Sequence, residues 1–506
     1  MAASKPIQDA PESLEAEEDA LLDAADAGEE IPQNEDEDED HPMDSDPDEP
    51  LDEIQLQNDS IAHFDSHKDS IFCIAQHPTD PSIVATGGGD DTTFLWSYDP
   101  TSSSLPTSNS LRERPSLQSL AKITGHTDSI NALTFTQPDG TYLLTGGLDG
   151  QIRAHLTTSP SYQLVSSAQE VPEINFLAPC PAPSYPDTFA LGASDGSVWV
   201  YTISSTHENG SEAELQVLQA YYLHTASCTA AAWTPDGNLL ATVAEDGTFY
   251  VWDPFGAAAA QGVTGKSGGQ TIVSLTPEDA RFAVEGGLYS IAIAPSGAFA
   301  VVGGAGGNIR VVGLPRLGVE GASSAQGERK GAKGGGAKDK AGGGKRSGGP
   351  ASGSDGATGQ VGQILASFQA QGDSVETLAF SEPPLTLLAA GSVDGSVVLF
   401  DYAHMWAVRR QIKEAHDGFA AVKVEFLPQR TGLGHVLTSC GMDGVVRRWD
   451  VRGGTAAGGQ GLIGEWKGHR GDGEGGGVLG FVQGGNGKTA ITAGDDAVSL
   501  VFDMAA

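Results

Sequence analysis

One nine-residue pattern, a tight turn followed by alternating apolar residues, recurs eight times, and it narrows the possible folds more than any other feature. The copies read GGDDTTFLW (Gly88–Trp96), GLDGQIRAH (Gly147–His155), ASDGSVWVY (Ala193–Tyr201), AEDGTFYVW (Ala244–Trp252), GAGGNIRVV (Gly304–Val312), SVDGSVVLF (Ser392–Phe400), GMDGVVRRW (Gly441–Trp449) and GDDAVSLVF (Gly494–Phe502). Such self-similarity marks an array of small units that bury their apolar faces only by stacking on one another. Asp-Gly favours a tight hairpin turn, and the period of two that follows it is that of a half-buried strand. The chain is therefore expected to be all-β. A single closed array absorbs its 506 residues, although at roughly 150 residues per domain they would otherwise suggest three or four domains.

In seven copies an Asp stands six residues before the closing position: Asp90, Asp149, Asp195, Asp246, Asp394, Asp443 and Asp496. Upstream of five of these turns, by 22 to 27 residues, stands a His: His67, His126, His224, His416 and His469. That interval holds two short strands and their hairpin. With these residues in place, the chain resembles the WD-repeat β-propeller family from about Glu53 to its end. In that family His, Ser or Thr, Asp and Trp form a hydrogen-bonded tetrad inside a blade, and the resemblance implies three complete ones. They are His67, Thr86, Asp90 and Trp96; His224, Thr242, Asp246 and Trp252; and His416, Ser439, Asp443 and Trp449. Two more are partial: His126, Thr145 and Asp149 lack the Trp, and His469, Thr492 and Asp496 end in Phe502. The third, fifth and sixth blades carry Glu170, Val284 and Gln371 near the His position, and Gly306 replaces the turn Asp in the fifth. Those blades are expected to rely on packing.

The expected architecture is an eight-bladed propeller over residues 53–506, preceded by a disordered acidic tail over 1–52. Residues 1–53 hold 22 acidic side chains against one basic, Lys5, and self-repulsion with few large apolar groups disfavours a packed core there. A Gly- and Lys-rich insertion, expected to be disordered, occupies 317–360 within the propeller; between Gly321 and Pro350 it has seven basic and two acidic residues. The chain stops four residues after Phe502, so the last blade is expected to borrow its outer strand from Glu53–Phe64, which would close the ring and cover a sheet edge.

Several chemistries are disfavoured. The Thr86, His67 and Asp90 types suggest a hydrolytic triad, but the same set recurs from blade to blade, as expected of groups that satisfy one another in a core. GGNGKT (Gly484–Thr489) echoes a phosphate loop, yet Val482 stands where the first Gly belongs, and a helix is not expected to follow. Isolated His77 and His435, and the scattered Cys73, Cys180, Cys228 and Cys440, lack metal or disulfide spacing. No run approaches 18 apolar residues and no secretory leader is legible. We expect a soluble cytosolic or nuclear protein, with no enzyme activity, cofactor or metal.

The charge balance points to a partner class. The formal net charge is −39; subtracting −21 for residues 1–53 and +5 for the 321–350 loop leaves −23 on the body. That argues against direct nucleic-acid binding, which needs a basic face, and favours a basic partner. Asp69, Asp128, Glu173, Glu285, Asp373, Asp417 and Asp472 stand in the loops leading into first strands, with Glu376 slightly further on. In the WD-repeat family these loops open on one rim, so the resemblance implies a ring of carboxylates there. Some of these groups would instead cap local turns.

The acidic tail, HKDSIFCIAQHP in the first repeat and EVPEIN in the third resemble a subgroup of WD-repeat proteins. It contains the fungal chaperone dedicated to the tenth large-subunit ribosomal protein and the animal angio-associated migratory cell protein. The resemblance implies capture of the basic N-terminal segment of that ribosomal protein and its delivery to the pre-60S subunit; we expect the chain to act as a monomer and to contact no membrane. Two alternatives stay open: a general scaffold in signalling or ubiquitin transfer, and a histone-type chaperone. The basic loop raises the further possibility of competition with the client for the acidic rim.

Overall fold

In the computed structural model, residues 57–98, 114–158, 161–205, 213–263, 271–317, 360–453, 461–470 and 476–505 are described. The acidic tail and most of the 317–360 insertion lie outside them, as does Asp472. Eight four-stranded antiparallel sheets follow one another along the chain. Within a blade the strands run in order from the centre of the ring outward; blade 1 uses Ile71–Gln76, Ile83–Gly88, Thr93–Ser97 and Ser119–Ile123. This is the eight-bladed β-propeller that the repeat predicts.

The second and third strands are covered on both faces by neighbouring blades, so they are almost wholly buried, as in Tyr142–Gly147 and Phe249–Trp252. Close stacking requires small residues. A Cβ on Gly87 would stand 2.7 Å from Ile130 of the next blade, and one on Gly146 2.8 Å from Ile174. Outer strands are half exposed, and in seven sheets the register slips along the outer-strand pairing, as between Ala154 and His155. Such bulges shorten the straight edge open to unwanted strand pairing.

The ring closes as expected, by a shorter strand. Ala62–Phe64 pairs with Ser499–Asp503, placing Ala62 opposite Val501. Residues 53–56 lie outside the described residues, and 57–61 are not strand; they are fixed instead by single bonds such as Asp59 N to Lys467 O (2.7 Å). Phe64 stacks on Trp96 at 5.0 Å, and Ser70 Oγ donates to Asp495 Oδ1 across the seam at 2.6 Å.

Strand order fixes which loops share a rim. Each inner strand begins where the outer strand of the preceding blade ends, so these connections and the turns between second and third strands lie at one end. The turns between first and second strands and between third and outer strands lie at the other. The 317–360 insertion joins Asn308–Gly313 to Ile364–Gln369, third strand to outer strand, so its roots are at the rim away from the turn Asp residues.

Candidate functional site

The tetrads organise the rim from below. In blade 1, His67 Nδ1 donates to Asp90 Oδ1 (3.1 Å), its Nε2 accepts from Thr86 Oγ1 (3.0 Å), and Trp96 Nε1 donates to that same hydroxyl oxygen (3.3 Å). Blade 7 repeats this with His416, Ser439, Asp443 and Trp449, each distance being 2.9 Å. The partial sets also form: His126 reaches Asp149 (3.1 Å) and Thr145 (2.8 Å), and His469 reaches Asp496 (2.9 Å) and Thr492 (2.7 Å).

Blade 4 departs from expectation. His224 Nδ1 donates to Thr248 Oγ1 (2.5 Å), and that hydroxyl donates onward to Asp246 (2.5 Å), which stands 4.0 Å from the ring. The remainder of the tetrad is as expected, with Thr242 Oγ1 at 2.8 Å from His224 and 2.9 Å from Trp252 Nε1. Without a carboxylate in contact, burial pushes His224 down to about 4. Burial also disfavours ionisation of Asp90, Asp149, Asp443 and Asp496. The hydrogen bonds they accept outweigh it and hold all four below the usual carboxylate range.

The hydroxyls of Thr86, Thr242 and Ser439 are 0 % exposed and are bonded on two sides within the protein. A substrate cannot reach them, so these sets work as architecture. Among the described residues, no group of three or more His, Cys, Asp or Glu is arranged to hold a metal ion, and no helix is long and apolar enough to cross a membrane.

The divergent blades use other residues at the His position. Gln371 is buried and donates from Nε2 to Ser396 Oγ at 3.0 Å, and Val284 is buried in blade 5. In blade 3 the position belongs to Val171, not Glu170. Val171 is buried while Glu170 is exposed, and Gly150 of the preceding turn packs on the Val171 carbonyl. The sequence offered only an acid near a missing His, and an apolar residue beside it fills the buried slot better.

A brace that the repeat pattern did not reveal lies four residues after the turn Asp. There Phe94 and Tyr250 pack edge-on against His67 and His224, each at 4.8 Å. In blades 2, 5 and 7 an Arg takes this place. Arg153 donates to Gly125 O (3.1 Å), Arg310 to Ala283 O (3.1 Å) and Arg447 to Ala415 O (2.9 Å), always the carbonyl just before the His position.

Of the eight rim carboxylates, seven lie among the described residues, six on the connections into inner strands and Glu376 at the start of the inner strand Val375–Phe380, and all seven are exposed. They do not form an even ring. Asp69, Asp128, Glu173 and Asp373 share one position, two residues after the His slot, whereas Glu285 and Asp417 come one residue earlier. Asp69, Asp128 and Asp373 each accept the next backbone N–H through one oxygen, at 2.7–2.8 Å, as expected of a turn-capping acid. Asp417 is engaged: Arg447 Nη2 donates to it at 2.7 Å, and the same guanidinium bonds Asp443 and lies 3.5 Å from Glu465.

Glu376 is different in kind. Every inner strand slips register at its rim end, in blade 6 between Val375 and Thr377, so Glu376 is the extra residue of a bulge, the device that re-aims a side chain beside a site. Although the residue as a whole is exposed, partial desolvation of its carboxyl by the surrounding protein and the charge of Asp373 raise it above the usual range. Tyr289 holds the corresponding bulge position in blade 5, and its phenol is pushed up by burial and by Glu245 and Glu376. Blades 4, 5 and 6 thus bring Glu245, Tyr289 and Glu376 into one field. Glu245 and Asp495 were missed as rim acids. Both directly precede a turn Asp, and turns of that class share this rim.

The family model for the WD domain, G-beta repeat, matches residues 58–97, 117–154, 215–253 and 362–401. The crystal structure of the Chaetomium thermophilum Sqt1 superimposes with a TM-score of 0.72 and 47% identity, over 88% of this chain and 98% of that one. The chain belongs to the Sqt1 family of WD-repeat proteins. A second Sqt1 structure from that organism, bound to the N-terminus of the ribosomal protein L10, matches at 46% identity and TM-score 0.71, over 88% of this chain and all of that one. The Saccharomyces cerevisiae ribosome assembly protein SQT1 is 33% identical over 225 residues; the alignment spans 43% of this chain and 47% of that protein. The Homo sapiens angio-associated migratory cell protein is 22% identical over 88% of this chain and 80% of its own length.

Proposed function

We propose that this Sqt1-family propeller is a ribosome-assembly chaperone that holds the basic N-terminal segment of newly made ribosomal protein L10 on its acidic rim and hands it to the pre-60S subunit. The observation that carries this reading is the cluster at blades 4 to 6, where Tyr289 lies in the field of Glu245 and Glu376, and Asp373 adds to the raised proton affinity of Glu376. Carboxylates whose proton affinity is raised by desolvation and by a neighbouring acid, as at Glu376, are stabilised in their charged form by an incoming cation. Arg pairs with them in directional, charge-assisted bonds, and the aromatic ring offers a face to the guanidinium. The Chaetomium thermophilum Sqt1 complex with the L10 N-terminus supports the choice of client.

The chain acts by binding, not catalysis, and we place its work in the cytosol and nucleus, as a monomer. An unassembled ribosomal protein exposes positive charge meant for RNA, and a carboxylate rim neutralises it reversibly. The test is capture of newly made ribosomal proteins and histones on the full chain across a salt series, with Asp128, Asp373 and Glu376 reversed in charge in a second sample. Selective, salt-sensitive recovery of L10 that is lost on charge reversal supports the reading. Equal recovery of histones would favour a histone chaperone, and signalling proteins retained at high salt would favour a scaffold.

A further inference from the structure

On the outer wall of the ring, away from the acidic rim, a groove of about 560 Å3 lies between blades 5 and 6. Its walls are the outer strand Ile364–Gln369 of blade 5, and Met405 and Trp406 of the connection in blade 6 with Val408 of the outer strand Ala407–Ile412 that follows. Leu365 is 38% exposed, Val408 50% and Met405 94%. Among the described residues no Asp, Glu, Lys or Arg lines the groove, in a chain with 67 acidic residues. Its floor is rigid: Trp406 is held by the rings of Phe299 (5.5 Å), Phe368 (5.8 Å) and Tyr402 (6.2 Å). Met405 and Trp406 are successive non-glycine residues at φ 56° and 60°. Left-handed backbone of this kind is disfavoured for such side chains and persists where the surroundings hold it, often at a binding surface. Here it presents Met405 to solvent.

We propose that this groove docks a short, extended segment of a partner protein, with bulky apolar side chains at alternate positions and carboxylates between or beside them. The extended form follows from the wall. Ile364–Gln369 is the outermost strand of its sheet; the bulge at Leu365 leaves Ala366–Gln369 as straight edge, room for a few residues of an added strand. The period of two in that strand sets the spacing of the guest's apolar side chains.

The carboxylates follow from charge. Arg409, next to Val408, is exposed, whereas Arg410 turns away to Asp450 O (2.8 Å) and Gly453 O (2.6 Å) of blade 7. The chain that leaves the fold at Leu317 and returns at Gln360, four residues before this strand, has seven Lys and Arg between Gly321 and Pro350. Val319 is the one branched aliphatic residue between 318 and 359, so that segment has too little apolar surface to fill the groove itself.

The test is a phage-displayed library of random dodecamers selected on the full chain and, in parallel, on the Met405→Asp, Val408→Asp double variant. Clones retained on the wild type and depleted about tenfold or more on the variant are expected to alternate bulky apolar residues and to carry Asp or Glu. Arg409→Glu is expected to shift enrichment towards Lys and Arg. Binding of the L10 N-terminal segment to the double variant serves as the folding control and is expected to be unchanged. Absence of clones that discriminate wild type from variant, or enrichment indifferent to Arg409→Glu, overturns the proposal. So does sedimentation showing a wild-type dimer that the double variant abolishes, because a second copy then covers the groove.

Discussion

Blades 6 and 7 are adjacent, share one topology and both carry acids at the rim, yet they use their polar groups in opposite directions. Blade 7 turns its groups inward: His416, Ser439, Asp443 and Trp449 close a tetrad, and Arg447 ties Asp417 and Asp443 together above it. Blade 6 has Gln371 where the His would stand and Phe400 where the Trp would, and of its rim acids Glu376 has its proton affinity raised by desolvation and by the charge of Asp373. On the proposed reading, a carboxylate in the right loop serves as a binding group where no Arg of the same blade has claimed it, as Arg447 has claimed Asp417. On that reading the binding acids gather at blades 4 to 6, while in blade 7 Asp417 is tied to Arg447.

The largest effect that would sharpen this contrast is expected from blade 6. Reversing Asp373 and Glu376 together to Lys should weaken binding of the L10 N-terminal segment by about a hundredfold, near 3 kcal/mol, measured by fluorescence anisotropy, with little change in melting temperature. In blade 7 the same kind of experiment should strike stability instead. Ser439→Ala leaves His416 Nε2 and Trp449 Nε1 without their shared partner, at a cost of about 2–3 kcal/mol in a denaturant titration, while the folded fraction binds the segment as before.

Acid should separate the two effects by window. His224 is held down at about 4 and His155, also buried, at about 3, so the unfolded chain takes up these protons first. Their contribution to stability is fully present above the ordinary His value of 6.5 and is lost as pH falls from there towards about 4 and 3. Glu376 has the opposite shift, so it loses its charge at higher pH than an ordinary carboxylate as the solution is acidified. Segment binding should weaken correspondingly early, and Glu376→Gln should remove that early phase. The smallest effect is expected from Asp417→Ala: the pair with Arg447 has a carboxylate side 65% exposed, so stability should fall by no more than about 1 kcal/mol, and segment affinity should change less than about twofold.

The tetrads of blades 1 and 7 were legible because the chemistry needs four residue types at fixed spacing, and little else satisfies that pattern. Blade 4 matched the same pattern, and its bonding still differed, because Thr248 supplies a hydroxyl between His224 and Asp246. Nothing in residue spacing reports which of two acceptors a ring will choose. The ring closure was readable from a missing strand, although its length was not. Asp417 read as a rim acid because its partner Arg447 sits 30 positions away and meets it only in the folded blade. Arg153 and Arg310 escaped notice for a related reason: at their position in the repeat an aromatic ring and a guanidinium do the same bracing, so the pattern looks variable where the function is constant.

The most direct test of the central claim is to locate the bound segment. An L10 N-terminal peptide carrying a photo-reactive group can be cross-linked to the full chain at low salt and the adducts mapped by mass spectrometry. The account predicts adducts on the rim connections of blades 4 to 6, around Glu245, Tyr289 and Glu376, that disappear at high salt. Adducts confined to the opposite rim or the outer wall, or centred on blade 7, would contradict it.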